Sequence, residues 1–213
     1  MTPAMPAWEA RLRSPMLTLP QWSRQAPDRA AYLGTESGIW QLHGLDLLTG
    51  ARRQVTSHPV GVQDGFVTHD GEGIVWFQDE TGDESGSWLV QPFEGGQVRP
   101  FLEGVPPAWS GGVAQAPGVI ALGISDRGGF AILTSIDGAP PRALCRSSES
   151  FVLAGQERGS TGSAGLSADG ALVAVEHTEH GDLIHPALRI LDSRTGEAVG
   201  DRRDDGRQLT ATA

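Results

Sequence analysis

Asp70-Gly71-Glu72-Gly73-Ile74-Val75-Trp76-Phe77 is the stretch that decides how this chain is read. A tight Asp-Gly turn runs almost at once into four apolar residues with no polar alternation. The same phrase recurs as Pro27-Asp28 before Ala30-Ala31-Tyr32-Leu33, as Pro117-Gly118 before Val119-Ile120-Ala121-Leu122, and as Asp169-Gly170 before Leu172-Val173-Ala174-Val175. Counted from Asp28, Asp70, Pro117 and Asp169, the repeats are 42, 47 and 52 residues long. Each run has the length of a strand, and its unbroken apolar character means that both faces of the strand are covered. Behind each run come a polar loop, an alternating stretch and a second turn, at Thr49-Gly50, Gly95-Gly96, Asp137-Gly138 and Thr195-Gly196. Repeats of about 40–50 residues made of short strands are the signature of a β-propeller, whose four-stranded sheets are each clamped between two neighbours.

The fold class that follows is all-β: a partial, about four-bladed propeller of four-stranded antiparallel blades. The blades are expected over 16–56, 57–102, 103–145 and 146–200, after an N-terminal surface segment, 1–15, and before a charged tail, 201–213, that reads as disordered. Within the first segment, Trp8 and Leu12 stand four apart, the spacing of one helical turn packed on the body. In blade four the inner strand is expected just after Gly159-Ser160-Thr161-Gly162-Ser163-Ala164-Gly165. A propeller is a ring, and four blades are the fewest that close one. An open arc leaves two blade faces and an unpaired edge in water, which favours association. Three outcomes stay open: four blades that close on themselves, identical chains that complete one another, or one part of a longer protein.

The formal charge of −10, from 16 basic and 26 acidic residues, argues against a sequence-independent nucleic-acid surface or an anionic membrane as partner. Cys145 is the single cysteine, so no intramolecular disulfide can form, and a cytoplasmic location is the simplest expectation. Pro3, Pro6, Pro15 and Pro20 interrupt the N-terminus before it builds a secretory apolar core, and no stretch reaches the ~20 apolar residues of a membrane span.

Chemistry-bearing motifs are sparse. Neither Ser160 nor Ser163 has glycines at both −2 and +2, so the glycine-rich stretch is no nucleophile elbow. His177, Glu179, His180, Asp182 and His185 form the densest ligand-type cluster, but His177 and His180 are three apart in a loop, where a helical zinc site needs four. No phosphate loop or dinucleotide fingerprint occurs, and no cofactor, metal or catalytic residue is assigned. Trp22, Trp40, Trp76, Trp88 and Trp109 lie at or beside strands and are expected to wedge between blades. The acidic hairpin Asp79-Glu80-Thr81-Gly82-Asp83-Glu84 lacks the glycine and terminal glutamate placement of an EF-hand. Asp79, Asp83 and Glu84 are the candidate substrate-binding residues, as carboxylates able to hold a peptide's positively charged amino terminus.

That hairpin, between Trp76-Phe77 and Trp88, resembles the Asp-x-x-Gly-Asp-Glu hairpin of propellers in the prolyl oligopeptidase family of serine peptidases, and more specifically its acylaminoacyl-peptidase and dipeptidyl-aminopeptidase-like members. Leu19-Pro20 with Ala26-Pro27-Asp28-Arg29, Thr49-Gly50 with Arg53-Gln54-Val55-Thr56, Gln91-Pro92-Phe93 with Gly95-Gly96, and Glu179-His180-Gly181-Asp182 with His185-Pro186-Ala187-Leu188-Arg189 are similar too. The resemblance spans roughly 5–200 and implies an N-terminal propeller, typically of seven blades, capping an α/β-hydrolase domain that carries the Ser, Asp and His triad. This sequence stops near the fourth blade and holds no elbow onto which a triad could be placed. The expectation is a non-catalytic propeller portion that gates or selects peptide substrates and does not hydrolyse alone. The alternative is a stand-alone propeller acting as a protein-interaction module.

Overall fold

Sixteen strands and one short helix make up the computed structural model, which describes residues 7–155, 164–180 and 182–202. The glycine-rich stretch around Ser160 and Ser163 and all but the first two residues of the expected tail lie outside them; Asp201 and Arg202 close the last strand. Helix α1, Ala7–Leu12, is tied by an Arg13–Glu9 ion pair of 2.8 Å. Its Trp8 is 64% exposed, so the expected packing on the body is not made by that ring.

Blade one comprises β1 (Gln21–Ser23), β2 (Ala26–Gly34), β3 (Gln41–Asp46) and β4 (Arg52–Gln54). Blade two comprises β5 (Gly65–Val67), β6 (Gly73–Asp79), β7 (Ser85–Pro92) and the two-residue β8 (Arg99–Pro100). Blade three has β9 (Ala108–Ala116), β10 (Val119–Asp126), β11 (Gly129–Ile136) and β12 (Arg142–Ser147). Blade four has β13 (Phe151–Leu153), β14 (Leu172–His177), β15 (Ala187–Asp192) and β16 (Ala198–Arg202). Each blade is an antiparallel meander in chain order, and blades two and three share a ladder, because Ser85 and Gly86 of β7 pair with Trp109 and Ala108 of β9. Among the described residues no strand of blade four pairs with blade one, so the sheets do not close into a ring.

Turn chemistry sets these meanders. The Asp70 carboxylate accepts from the Thr68 hydroxyl and the Glu72 N–H, while the Gly73 N–H donates to Thr68 Oγ1. Ser167, Asp169, Ala171 and Leu172 repeat the pattern in blade four. The third-to-fourth-strand hairpins of blades one and four share Asp-x-x-Thr-Gly: Asp46 accepts from Leu48 and Thr49, and Asp192 from Arg194 and Thr195. Their closing Gly50 and Gly196 have φ of 72° and 78°, where a side chain would be strained.

The core lies between blades. Ala31 and Leu42 meet Ile74 and Trp76; Phe66, Val75, Trp88 and Phe101 meet Val113, Leu122 and Leu133; Ala114, Ala121 and Ile132 meet Phe151, Val173 and Leu191. Ile74 and Val75 point to opposite faces of β6, yet both are fully buried. This is the physical reason the apolar runs do not alternate. Buried Gln115 pins blade two to blade three: its Nε2 donates to the Val67 carbonyl at 2.8 Å and its Oε1 accepts from His69 N at 2.7 Å.

Blade four departs from expectation in its inner strand. β13 lies at Phe151–Leu153, and the chain rejoins the sheet as a single bridge from Leu166 to Val173. The far face of blade four carries Ala174, Leu188 and Ile190 half-buried and Leu172 exposed.

Candidate functional site

At one set of strand ends of blade two, the hairpin between β6 and β7 holds the three candidate carboxylates, and the structure divides their labour. Asp79 is occupied by its own turn: Oδ1 accepts from the N–H groups of Thr81 at 3.1 Å and Gly82 at 2.7 Å, and Oδ2 from Glu84 N–H at 2.7 Å. Desolvation pushes its pKa up, but the N–H groups of Glu84, Gly82 and Thr81 outweigh that and hold it below the ordinary carboxylate range. Asp83 accepts one N–H, from Ser85 at 3.2 Å. Glu84 sits at φ 66°, a left-handed conformation uncommon outside glycine, and its carboxylate has no ion pair or hydrogen bond among the described residues. Asp83 and Glu84 therefore keep carboxylate oxygens that the turn does not engage.

Beside them opens a small apolar pocket of about 90 Å³ between blades two and three, lined by Phe77, Trp88, Leu102, Leu122, Ile124 and Trp109. The Trp109 indole N–H donates to the Asp83 carbonyl at 3.3 Å and so joins the pocket mouth to the acidic hairpin. Trp88 and Trp76 are buried as expected, whereas Trp109 is 42% exposed and Trp22 57%. Sequence reasoning placed Trp109 in the core. Trp109 pairs in register with Ser85 of β7, a contact across blades that no local pattern announces.

Another member of this end is Glu80, whose Oε1 accepts from Gln78 Nε2 at 2.6 Å and whose Oε2 lies 3.6 Å from His58 Nε2. Asp64, which leads into β5, is pushed up to about 6 by burial against a smaller opposing effect of the Gly65 N–H.

The histidine cluster of blade four does not converge. His177 is fully buried, stacked on Phe151 at 5.2 Å, with neither ring nitrogen hydrogen-bonded. Its Nδ1 and Nε2 lie 3.8 Å from Glu179 Oε2 and Asp201 Oδ1, and both carboxylates are held by Arg189 Nη2 at 2.7 and 2.9 Å. Burial lowers the His177 pKa and Arg189 lowers it further. His185 pairs instead with exposed Asp182 at 3.4 Å. Among the described residues no three metal-ligating side chains come close enough to hold an ion. Burial raises the Cys145 thiol above its ordinary value, the reverse of an activated nucleophile.

No protein-family model and no curated protein matches the sequence. Solved structures do. The propeller domain of the Trilobed protease from Pyrococcus furiosus, described as having an open velcro topology, superposes with a TM-score of 0.60 at 13% identity, over 91% of this chain and 58% of that one. The fold is a β-propeller. A chain from a structural study of two prolyl endopeptidases matches it at TM-score 0.59 and 10% identity, over 89% of this chain and 28% of that one. TolB from Acinetobacter baumannii matches at 0.55 and 18%, over 86% and 42%. The propeller described here spans less than two thirds of each of these chains, and at such identities the likeness is one of fold.

Proposed function

We propose that this chain is the non-catalytic propeller portion of a prolyl oligopeptidase-type serine peptidase, admitting peptides at the end where Asp83 and Glu84 flank the Trp109 pocket. The observation that carries the proposal is this juxtaposition: two carboxylates with no basic partner among the described residues, on the hairpin that Trp109 ties to an apolar pocket sized for one side chain. Together they fit a peptide whose ammonium group meets the carboxylates while its first, apolar side chain enters the pocket. The superposition on peptidase propellers agrees with this reading.

Tryptophan fluorescence titration with a short peptide beginning in leucine, free or acetylated at its amino terminus, tests it. The free form is expected to bind at least ~10-fold more tightly, a difference of about 1.4 kcal/mol. Asp83→Asn with Glu84→Gln is expected to abolish the preference. Equal binding of both peptides by the unaltered protein would remove the reading. A second reading, a protein-interaction module, is favoured by the partly exposed apolar face of blade four at Leu172, Ala174, Leu188 and Ile190, which no other sheet of the described residues covers. Under that reading a folded partner protects this face, and peptides show no preference at the hairpin.

A further inference from the structure

A second, larger cleft of about 640 Å³ opens between blades two and three near the turns at Asp70 and Gly138, at the opposite strand ends from the acidic hairpin. Its origin is local. β8 is only two residues long, so the outer wall of blade two ends early. The facing hairpin of blade three continues through Gly138-Ala139-Pro140-Pro141, whose prolines offer no N–H to a strand. Val90, Phe101 and Ile120 supply the apolar lining.

Three charged side chains line this cleft, Arg99 against the carboxylates of Asp70 and Glu103, and both Arg99 and Glu103 are exposed to solvent. Arg99 pairs in register with Val90, which packs in the core between blades two and three, so the guanidinium lies on the blade-three side of its sheet. Neither Arg99 nor Glu103 has an ion pair or side-chain hydrogen bond among the described residues. The Asp70 carboxylate, in contrast, is engaged at Oδ1 by the Thr68 hydroxyl and the Glu72 N–H. A cleft of this volume falls within the range of about 300–1,000 Å³ found for small-ligand sites.

We infer that the cleft binds a small zwitterion with an apolar body, of the class of a free dipeptide, its carboxylate on Arg99 and its ammonium near Glu103. A ligand with one charge would leave either Arg99 or Glu103 unmatched at the cleft. A zwitterion satisfies both and places its side chains against Val90, Phe101 and Ile120. This inference is independent of the peptide-admitting end, which uses other residues.

Isothermal titration calorimetry with valyl-leucine, its N-acetyl form and its C-terminal amide tests the assignment. The zwitterion is expected to bind at least ~10-fold more tightly than either blocked form. In Glu103→Gln the advantage over the N-acetyl form disappears and that over the amide remains; in Arg99→Gln the reverse holds. Amide shifts of the unaltered protein, localised to Phe101 and Ile120, provide a readout that needs no variant. Asp83→Asn with Glu84→Gln is expected to leave this binding unchanged. Absence of saturable binding, equal binding of the blocked forms, or preferences unaltered in both variants would each overturn the assignment.

Discussion

At the scale of single residues, Gln115 and His177 show how a side chain can be decisive without taking part in chemistry. Replacing Gln115 with Ala orphans the Val67 carbonyl and the His69 N–H between two blades. Each unsatisfied buried group costs about 1–3 kcal/mol, so a marked loss of stability is expected in chemical denaturation. His177 is buried neutral, with its pKa lowered by desolvation and by Arg189. The unfolded chain then binds the extra proton more readily, so the contribution of His177 is present above its unfolded value of 6.5 and is lost as pH falls through the lowered one. Asp64 acts in the opposite sense. Its folded pKa of about 6 exceeds the unfolded 3.8, so its contribution is present below 3.8 and is lost as pH rises through about 6. Denaturation midpoints of Asp64→Asn measured from pH 3.8 to about 6 are expected to lack this falling component. The acidic hairpin was legible because Asp79, Asp83 and Glu84 are neighbours in sequence. That Asp79 spends its oxygens on the turn was not legible, since Asx geometry depends on where the strands end.

At the scale of strands and turns, local signals carried most of the architecture. Asp-Gly and Thr-Gly pairs mark hairpins because they supply both the side-chain acceptor and the positive φ that a tight reversal needs. The four apolar runs became β2, β6, β10 and β14. The inner strand of blade four was missed because three residues show no periodicity, and Leu166 rejoins the sheet only after a long intervening segment. Close packing of elements also goes unannounced. A Cβ on Gly65 would stand 2.7 Å from both Leu42 methyls, so Gly65→Ala forces the first two blades apart. A cost of about 1–3 kcal/mol is expected, read as a lower thermal midpoint. Leu42→Ala in the same background should recover part of it.

At the scale of the whole molecule, the arc ends on a partly apolar face that no other sheet of the described residues covers. Leu172, Ala174, Leu188 and Ile190 face outward where an internal joint would present them to another sheet. Concentration-dependent association is expected in sedimentation velocity, and Ile190→Asp should shift the population toward monomer. The sequence repeats foretold the wedge-shaped units. Whether the wedges meet end to end depends on angles summed over three joints, which no single repeat encodes.

The ladder running from β7 into β9 gives this molecule a reinforced middle. Opening the seam between the second and third units breaks a strand ladder as well as side-chain contacts. Separating the outer units breaks packing and side-chain bonds such as Arg53 to the Phe93 carbonyl and Thr134 to the Ser193 carbonyl, with no strand ladder among the described residues. Limited digestion or a mechanical pull should therefore strip the flanks first and leave a doubled central plate as the last piece standing.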